Sequence, residues 1–191
     1  MSNFFSSVDL AQRDPIFGLN TAFQADTRKE KLNLGVGVYC TESLTTPVLS
    51  CVKQAEEMIL ERESTKLYLP IRGDKAYLEE ATALVLGKEL YHRYKDEISF
   101  VQTIGGSGAL RIGGDFLHDW GDKTMHLPDP SWVNHEAIFS KSGLKICSYP
   151  YYDFTTKEVN FPKLIECLSS LSAKSAVLLH VACHNPSGAD L

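Results

Sequence analysis

The chain has 191 residues, of which 43% are hydrophobic and 23% charged. Those proportions are ordinary for a globular protein and exclude a disordered or fibrous chain, and the length suffices to bury a core without metal or disulfide staples. A net charge of -5 argues against sequence-independent nucleic-acid binding, which rests on a basic balance, and no apolar run approaches the ~18 residues of a membrane span.

Five cysteines, Cys40, Cys51, Cys147, Cys167 and Cys183, are odd in number, widely spaced and set among apolar residues. They read as buried, reduced thiols in a reducing compartment. The opening MSNFFSSVDLAQRDP has no basic-then-apolar signal pattern, and Asp9 and Asp14 with a single Arg do not suit a transit peptide. A cytoplasmic location is expected.

The first thirty residues, with a turn signal at Asp14-Pro15, predict an arm with a short helix. Lys31 to Tyr39 reads as a short extended run. From Pro47 to Glu63, Val48, Val52, Ala55 and Ile59 recur at helical spacing and predict an amphipathic helix with proline in its first turn. A second helix is predicted from Asp74, its N-cap, to Tyr94. Then strands and helices alternate: a strand at Ile98–Thr103, a glycine-rich turn, a helix at Ala109–Trp120, a strand at Thr124–Leu127, and a helix to Lys141. A strand at Leu144–Tyr149, a loop, a helix from Pro162 to Leu171 and an apolar strand at Ser175–Ala182, buried on both faces, complete the series. The alternation predicts an α/β fold with a mostly parallel sheet flanked by helices. Ligands of such sheets lie beyond the carboxyl ends of the strands, which joins three loops into one candidate site.

The first loop is Gly105-Gly106-Ser107-Gly108, between a strand and a helix. Free N–H groups, the helix dipole and the Ser107 hydroxyl suit a phosphate there, while a tight turn without a ligand is the plainer alternative. It is neither a dinucleotide fingerprint, because Arg111 stands at the third glycine position, nor a Walker A loop, because Gly114 stands where lysine is needed. The second loop is Asp129-Pro130-Ser131-Trp132-Val133-Asn134-His135. Its indole suits stacking on a planar ligand or packing under the loop, and His135 follows on the same helical face. The third runs from His180 through Cys183-His184-Asn185-Pro186-Ser187-Gly188. Its spacing is wrong for a metal site, and Asn185-Pro186 is a turn that leaves the asparagine side chain at the sheet edge.

These motifs occur in a fixed order with Asp14-Pro15-Ile16-Phe17-Gly18-Leu19, Leu34-Gly35-Val36-Gly37-Val38-Tyr39 and Tyr68-Leu69-Pro70-Ile71-Arg72-Gly73. Together they resemble the class I pyridoxal-phosphate aminotransferases, in the aspartate and aromatic amino-acid branch, over nearly the whole chain. The resemblance implies the large domain of a fold type I enzyme, incomplete, with an N-terminal arm and part of a small domain. Residues 1–46 would be the arm and small-domain segment, and 47–191 the first part of the cofactor-binding large domain. The implied cofactor is pyridoxal 5'-phosphate. The implied reaction is transamination between aspartate or an aromatic amino acid and a 2-oxo acid such as 2-oxoglutarate, through a lysine Schiff base in a homodimer.

By the same resemblance Gly105, Gly106 and Ser107 hold the cofactor phosphate, and Trp132 stacks on the pyridine ring and touches a substrate carboxylate. Asn185 bonds the phenolic oxygen and helps hold the substrate α-carboxylate. Gly37 lies against the substrate, and Tyr68 reaches the partner subunit's cofactor phosphate. His135 and His180 stand behind the aspartate that pairs with the pyridine nitrogen. Ser107 and Ser187 replace threonines and keep their hydroxyls, and Asp129 replaces an asparagine and adds a charge. The Schiff-base lysine, that aspartate and the substrate-binding arginines are expected downstream of Gly188. Lys141 and Lys174 match no lysine motif of the family. The 191 residues alone are therefore expected to be an inactive N-terminal portion, or else a non-catalytic binding or dimerisation partner.

Overall fold

A computed structural model of the chain describes residues 4–7, 15–33, 35 and 37–191. These fall into two compact units, one up to Lys66 and one from Leu67 to Leu191. In the first, a 3-10 turn at Phe4–Ser7 precedes α1 (Pro15–Ala25) and α2 (Ser50–Arg62). The end of α1 is closed by Lys31, whose ammonium donates to the carbonyls of Phe23 and Asp26 at 2.7 and 2.6 Å. This is the usual cationic cap on orphan C-terminal carbonyls. Asp14, Leu34 and Val36 lie outside the described residues, so the turn at Asp14 and the middle of the Lys31–Tyr39 run are not described. α2 starts three residues later than the sequence suggests, after an extended Leu49, and buries none of its residues.

The second unit holds α3 (Lys75–Leu86), α4 (Lys88–Tyr94), α5 (Gly105–Trp120), β1 (Thr124–Asp129), α6 (Val133–Lys141), β2 (Lys145–Pro150), β3 (Tyr152–Asp153), β4 (Glu158–Val159), α7 (Phe161–Ser169) and β5 (Ala176–Val177). The main sheet is parallel, in the order β2-β1-β5. Thr124 pairs with Lys145 and Asp129 with Pro150 on one side of β1, and Met125 pairs with Ala176 on the other. Four successive β1 residues are buried, as a central parallel strand requires. Met125 and Leu127 pack with Phe139 of α6 and Leu144, backed by Leu110 and Leu117 of α5. Tyr149, Tyr151 and Leu164 of α7 form a second cluster. β3 and β4 make a small antiparallel hairpin in a stretch that reads as loop from sequence.

The predicted N-cap at Asp74 is present, with its carboxylate accepting the Tyr77 N–H at 2.8 Å. Five other expectations are corrected. The helix from Asp74 to Tyr94 is two helices, broken at Gly87, whose φ is 79°. The glycine-rich segment is no loop before a helix at Ala109, but the first turn of α5 itself. Ile98–Thr103 is not a strand: no neighbouring strand is present among the described residues to form a ladder, and Gln102 N–H donates instead to the Arg72 carbonyl at 2.8 Å. β5 covers two residues, not Ser175–Ala182, and Leu179 and Val181 are exposed. Past Val177 the ladder position facing the Leu178 carbonyl is Pro128, which has no N–H to donate, and that carbonyl accepts the Tyr149 hydroxyl at 2.6 Å instead. The five cysteines are free thiols, but none is buried: Cys40, Cys51 and Cys183 are exposed, and Cys147 and Cys167 half-buried.

Candidate functional site

A parallel sheet points the carboxyl ends of β1, β2 and β5 the same way. α5 runs down one face into β1, so its first turn sits at that same end. The site is built there. Gly105 opens α5 with φ of 63°, a left-handed backbone that disfavours any other residue. Its N–H donates to the Thr103 carbonyl at 3.1 Å, and Thr103 Oγ1 donates to the Gly105 carbonyl at 3.0 Å. No side chain caps the turn, and a Cβ placed on Gly105 or Gly106 would meet nothing within 4 Å. Beyond Gly105, the N–H groups of Gly106 and Ser107 have no intrahelical acceptor at a helix start whose Ser107 is exposed. Next to them lies a cleft of about 500 Å³ between α3 and α5, lined by Tyr77, Val85, Gln102, Thr103, Gly105 and Gly106.

Trp132 is the half-buried N-cap of α6, and its carbonyl accepts the His135 N–H at 2.9 Å. The His135 ring is edge-on to the indole, with centroids 5.2 Å apart, and shares a 2.8 Å hydrogen bond between Nδ1 and Ser131 Oγ. His180 is edge-on to His135 at 5.1 Å, and His184 is tilted against His180 at 4.3 Å. Asn185 N–H donates to His180 Nδ1 at 3.1 Å. Trp132, His135, His180 and Asn185 are thus one connected group, assembled from the β1–α6 loop and the segment after β5.

The electrostatics follow from burial. His135 is brought down to about 4 by desolvation first, then by repulsion from His180 and His184. His180 and His184 are lowered chiefly by burial as well, the nearby Asp190 working the other way. All three imidazoles are neutral at neutral pH. Because His180 Nδ1 accepts the Asn185 N–H, its own proton sits on Nε2. The Nε2 atoms of His180 and His184 are buried and have no partner among the described residues. A buried donor without an acceptor costs about 1–3 kcal/mol, so the His180 Nε2–H is a donor that a ligand acceptor would satisfy.

Tyr68 is fully exposed, and no contact among the described residues joins its ring to the glycine turn. Its loop is tied to the approach of α5 by Gln102, whose Oε1 accepts the Asp74 N–H at 2.9 Å. Gly37 lies in the first unit, and a Cβ added to it would meet nothing within 4 Å. Sequence reasoning missed Ser131, Gln102, Tyr151 and His184 as contributors. Only the alternate spacing of Tyr149 and Tyr151 at the end of β2 hinted at a shared face. Among the described residues no group of three or more His, Cys, Asp or Glu side chains is arranged to hold a metal ion, and no helix is long and apolar enough to cross a membrane.

An uncapped helix turn, an indole and an asparagine turn thus lie at one end of a parallel sheet. Residues 29–191 match the family model of aminotransferase class I and II, and the chain belongs to that family. It is 45% identical to an aspartate aminotransferase of Pseudomonas aeruginosa over 190 residues, which are 99% of this chain and 48% of that protein. It is 39% identical to a tyrosine aminotransferase of Klebsiella pneumoniae, covering 98% of this chain and 48% of that one. Among solved structures, an aromatic amino acid aminotransferase from Burkholderia cenocepacia superposes with a TM-score of 0.92 at 40% identity, over 99% of this chain and 48% of that one. One from Burkholderia pseudomallei, covalently bound to pyridoxal phosphate, gives 0.91 at 44% identity, over 100% of this chain and 48% of that one. The chain spans about half the length of these relatives, and its fold is the corresponding part of theirs.

Proposed function

We propose that these residues form the phosphate-, ring- and carboxylate-contacting part of a pyridoxal 5'-phosphate-dependent aminotransferase site. The reaction would pass an amino group between aspartate or an aromatic amino acid and a 2-oxo acid such as 2-oxoglutarate. The observation that carries this reading is the contact series from Trp132 through His135 to His180 and the Asn185 amide. The residues present suit the cofactor: open N–H groups at a helix start for a phosphate dianion, an indole for a planar ring, and a buried imidazole donor awaiting an acceptor. When bound, pyridoxal phosphate supplies an electron sink for loss of the substrate Cα proton.

In this assignment Gly105, Gly106 and the Ser107 hydroxyl bind the phosphate. Trp132 orients the ring and a substrate carboxylate, and Asn185 donates to the phenolic oxygen and the substrate α-carboxylate. Gly37 lies along the substrate. Tyr68, fully exposed, is free to reach the phosphate of a second subunit in a homodimer. Neutral His135 and His180 hold protons behind the aspartate expected to face the pyridine nitrogen. Residues 1–46 are assigned to the arm and small domain and 47–191 to the large domain, in a cytoplasmic protein whose free thiols suit a reducing compartment. Lys141 sits in the last turn of α6, at the opposite end from Trp132, and Lys174 precedes β5; both are exposed. Neither is at the site, so the 191 residues alone are proposed to bind the cofactor without turnover. A second reading, action by association only, is favoured by the exposed Ile112, Phe116 and Trp120, one uncovered stripe on α5.

The test titrates the chain with pyridoxal 5'-phosphate in a Trp120→Phe background, where Trp132 is the sole indole. Saturable quenching of Trp132, weakened about tenfold or more by Ser107→Ala, supports the assignment. Quenching that neither Ser107→Ala nor Asn185→Ala changes would overturn it and leave the association reading. Turnover of aspartate with 2-oxoglutarate by the chain alone would refute the proposed inactivity.

A further inference from the structure

Asn185 is exposed, and its backbone belongs to a turn that no strand holds. Such a segment is fixed only if other contacts offset its conformational entropy. The turn first closes on itself. The Asp190 carboxylate accepts the N–H groups of Cys183 and His184 at 2.9 and 2.8 Å, and Gly188 N–H donates to the His184 carbonyl at 2.7 Å. It is then fastened to the sheet through one aromatic pair. The His184 ring, 1% exposed, lies on the Tyr151 ring with centroids 3.9 Å apart and planes at 12°. The Tyr151 hydroxyl donates to the Ala189 carbonyl at 2.8 Å, across the turn from His184. Tyr151 is itself anchored, because its N–H donates to the carbonyl of Asp129 at 3.3 Å, at the start of the loop that carries Trp132. One buried tyrosine therefore touches both ends of the Asn185 turn and the root of the Trp132 loop.

The protons in the turn are ordered as well. Ala189 N–H donates to Ser187 Oγ at 3.2 Å, and the Ser187 hydroxyl shares a 2.7 Å hydrogen bond with His184 Nδ1. Asn185 N–H in turn donates to His180 Nδ1 at 3.1 Å. His180 then presents Nε2–H from a buried position.

We infer that Tyr151 and His184 are positioning residues for Asn185: the pair fixes the Asn185 backbone, and through the Asn185 N–H it sets the tautomer of His180. The use made of Asn185 rests on the proposed function, but the coupling does not. The same pair links the Trp132 loop to the Asn185 turn, so the two move as one piece.

The test uses the 191-residue chain. Tyr151→Phe keeps the stacked ring and removes only the hydroxyl. Three readouts are taken: imidazole nitrogen resonances of His180, hydrogen exchange of the Asn185 amide, and affinity for pyridoxal 5'-phosphate. The parent chain should show His180 protonated at Nε2. In Tyr151→Phe the Asn185 amide should exchange at least about tenfold faster, and the His180 nitrogens should move towards a mixture of tautomers. The cofactor should bind at least about fivefold more weakly, while the Leu127 amide of β1 stays protected. An unchanged His180 tautomer and Asn185 exchange rate would overturn the inference. Should Tyr151→Phe lose protection at Leu127, Ser187→Ala, which removes the partner shared by His184 Nδ1 and the Ala189 N–H, decides by the same nitrogen and exchange readouts. A parent chain that fails to bind pyridoxal phosphate counts against the proposed function, and the tautomer and exchange results still decide the positioning role.

Discussion

His135 offers a direct test of the site's electrostatics. Its ring is 7% exposed and faces His180 at 5.1 Å, with His184 beyond. Desolvation and those two imidazoles bring it down from 6.5 to about 4. In the unfolded chain the same group takes up its proton near its ordinary value. Between the two values the unfolded chain binds a proton that the folded chain refuses. Stability is therefore fully present above about pH 6.5 and is lost as the pH falls towards about 4. Each tenfold difference in proton affinity is worth about 1.4 kcal/mol, so the whole descent costs up to about 3 kcal/mol, and about 2 kcal/mol of that is lost by about pH 5. His180 and His184, also lowered by burial, add to the loss over the same range, so the contribution of His135 is read as the difference between parent and variant. Urea unfolding of the chain and of His135→Asn at about pH 7 and about pH 5 isolates it: the parent should lose about 2 kcal/mol more than the variant between the two. A ring titration of His135 near 6.5, or parallel losses in the two proteins, would refute the reasoning.

Three further outcomes are expected. Gly106→Ala adds a Cβ where nothing lies within 4 Å, so unfolding should show stability unchanged or raised by up to about 1 kcal/mol. The same variant should bind pyridoxal phosphate at least about tenfold more weakly in the quenching titration, because the methyl occupies the phosphate's approach. Gly73→Ala places a Cβ 2.2 Å from Gln102 Cβ at a φ of 101°, and should cost at least about 2 kcal/mol in urea unfolding; a loss below about 0.5 kcal/mol would contradict the tight junction. Tyr149→Phe removes the 2.6 Å bond to the Leu178 carbonyl and should cost about 1–2 kcal/mol. In the parent chain burial pushes the Tyr149 hydroxyl up to about 12, so the latest-ionising part of a spectrophotometric tyrosine titration should be lost in Tyr149→Phe.

The sequence was most legible where an element carries its own signal. The alternation from Thr124 onwards predicted β1, β2, α6 and α7 to within a few residues, and Asp74 marked its helix start. It misled where formation depends on a neighbour. Ile98–Thr103 has strand composition, but a strand exists only as part of a ladder, and Arg72 supplies a single carbonyl. Ser175–Ala182 is apolar enough for a strand, yet the neighbour that should donate to the Leu178 carbonyl is Pro128, which has no N–H, and the Tyr149 hydroxyl takes that carbonyl. Burial of the cysteines failed for a related reason. Apolar neighbours in sequence, as around Cys51, become a covered face only when another element packs on them, and α2 buries none of its residues.

The site divides along the same line. Trp132, Ser107 and Asn185 were legible because each sits in a short motif whose chemistry is local: an indole at a helix start, a hydroxyl in a helix's first turn, an amide in a turn. Tyr151 and His184 were not, because their relation does not exist along the chain. They are separated by α7 and β5, and nothing in either local pattern names the other. What joins them is the parallel order β2-β1-β5, which brings the end of β2 and the segment after β5 to the same carboxyl end of the sheet, on either side of β1. Tyr151 then spans from the Asp129 carbonyl to the Ala189 carbonyl, with His184 stacked on its face. Topology is thus what turns two structural aromatics into supports for Asn185. A substitution at either would be read from sequence as a core change, although its first effect should fall on the turn that presents the site.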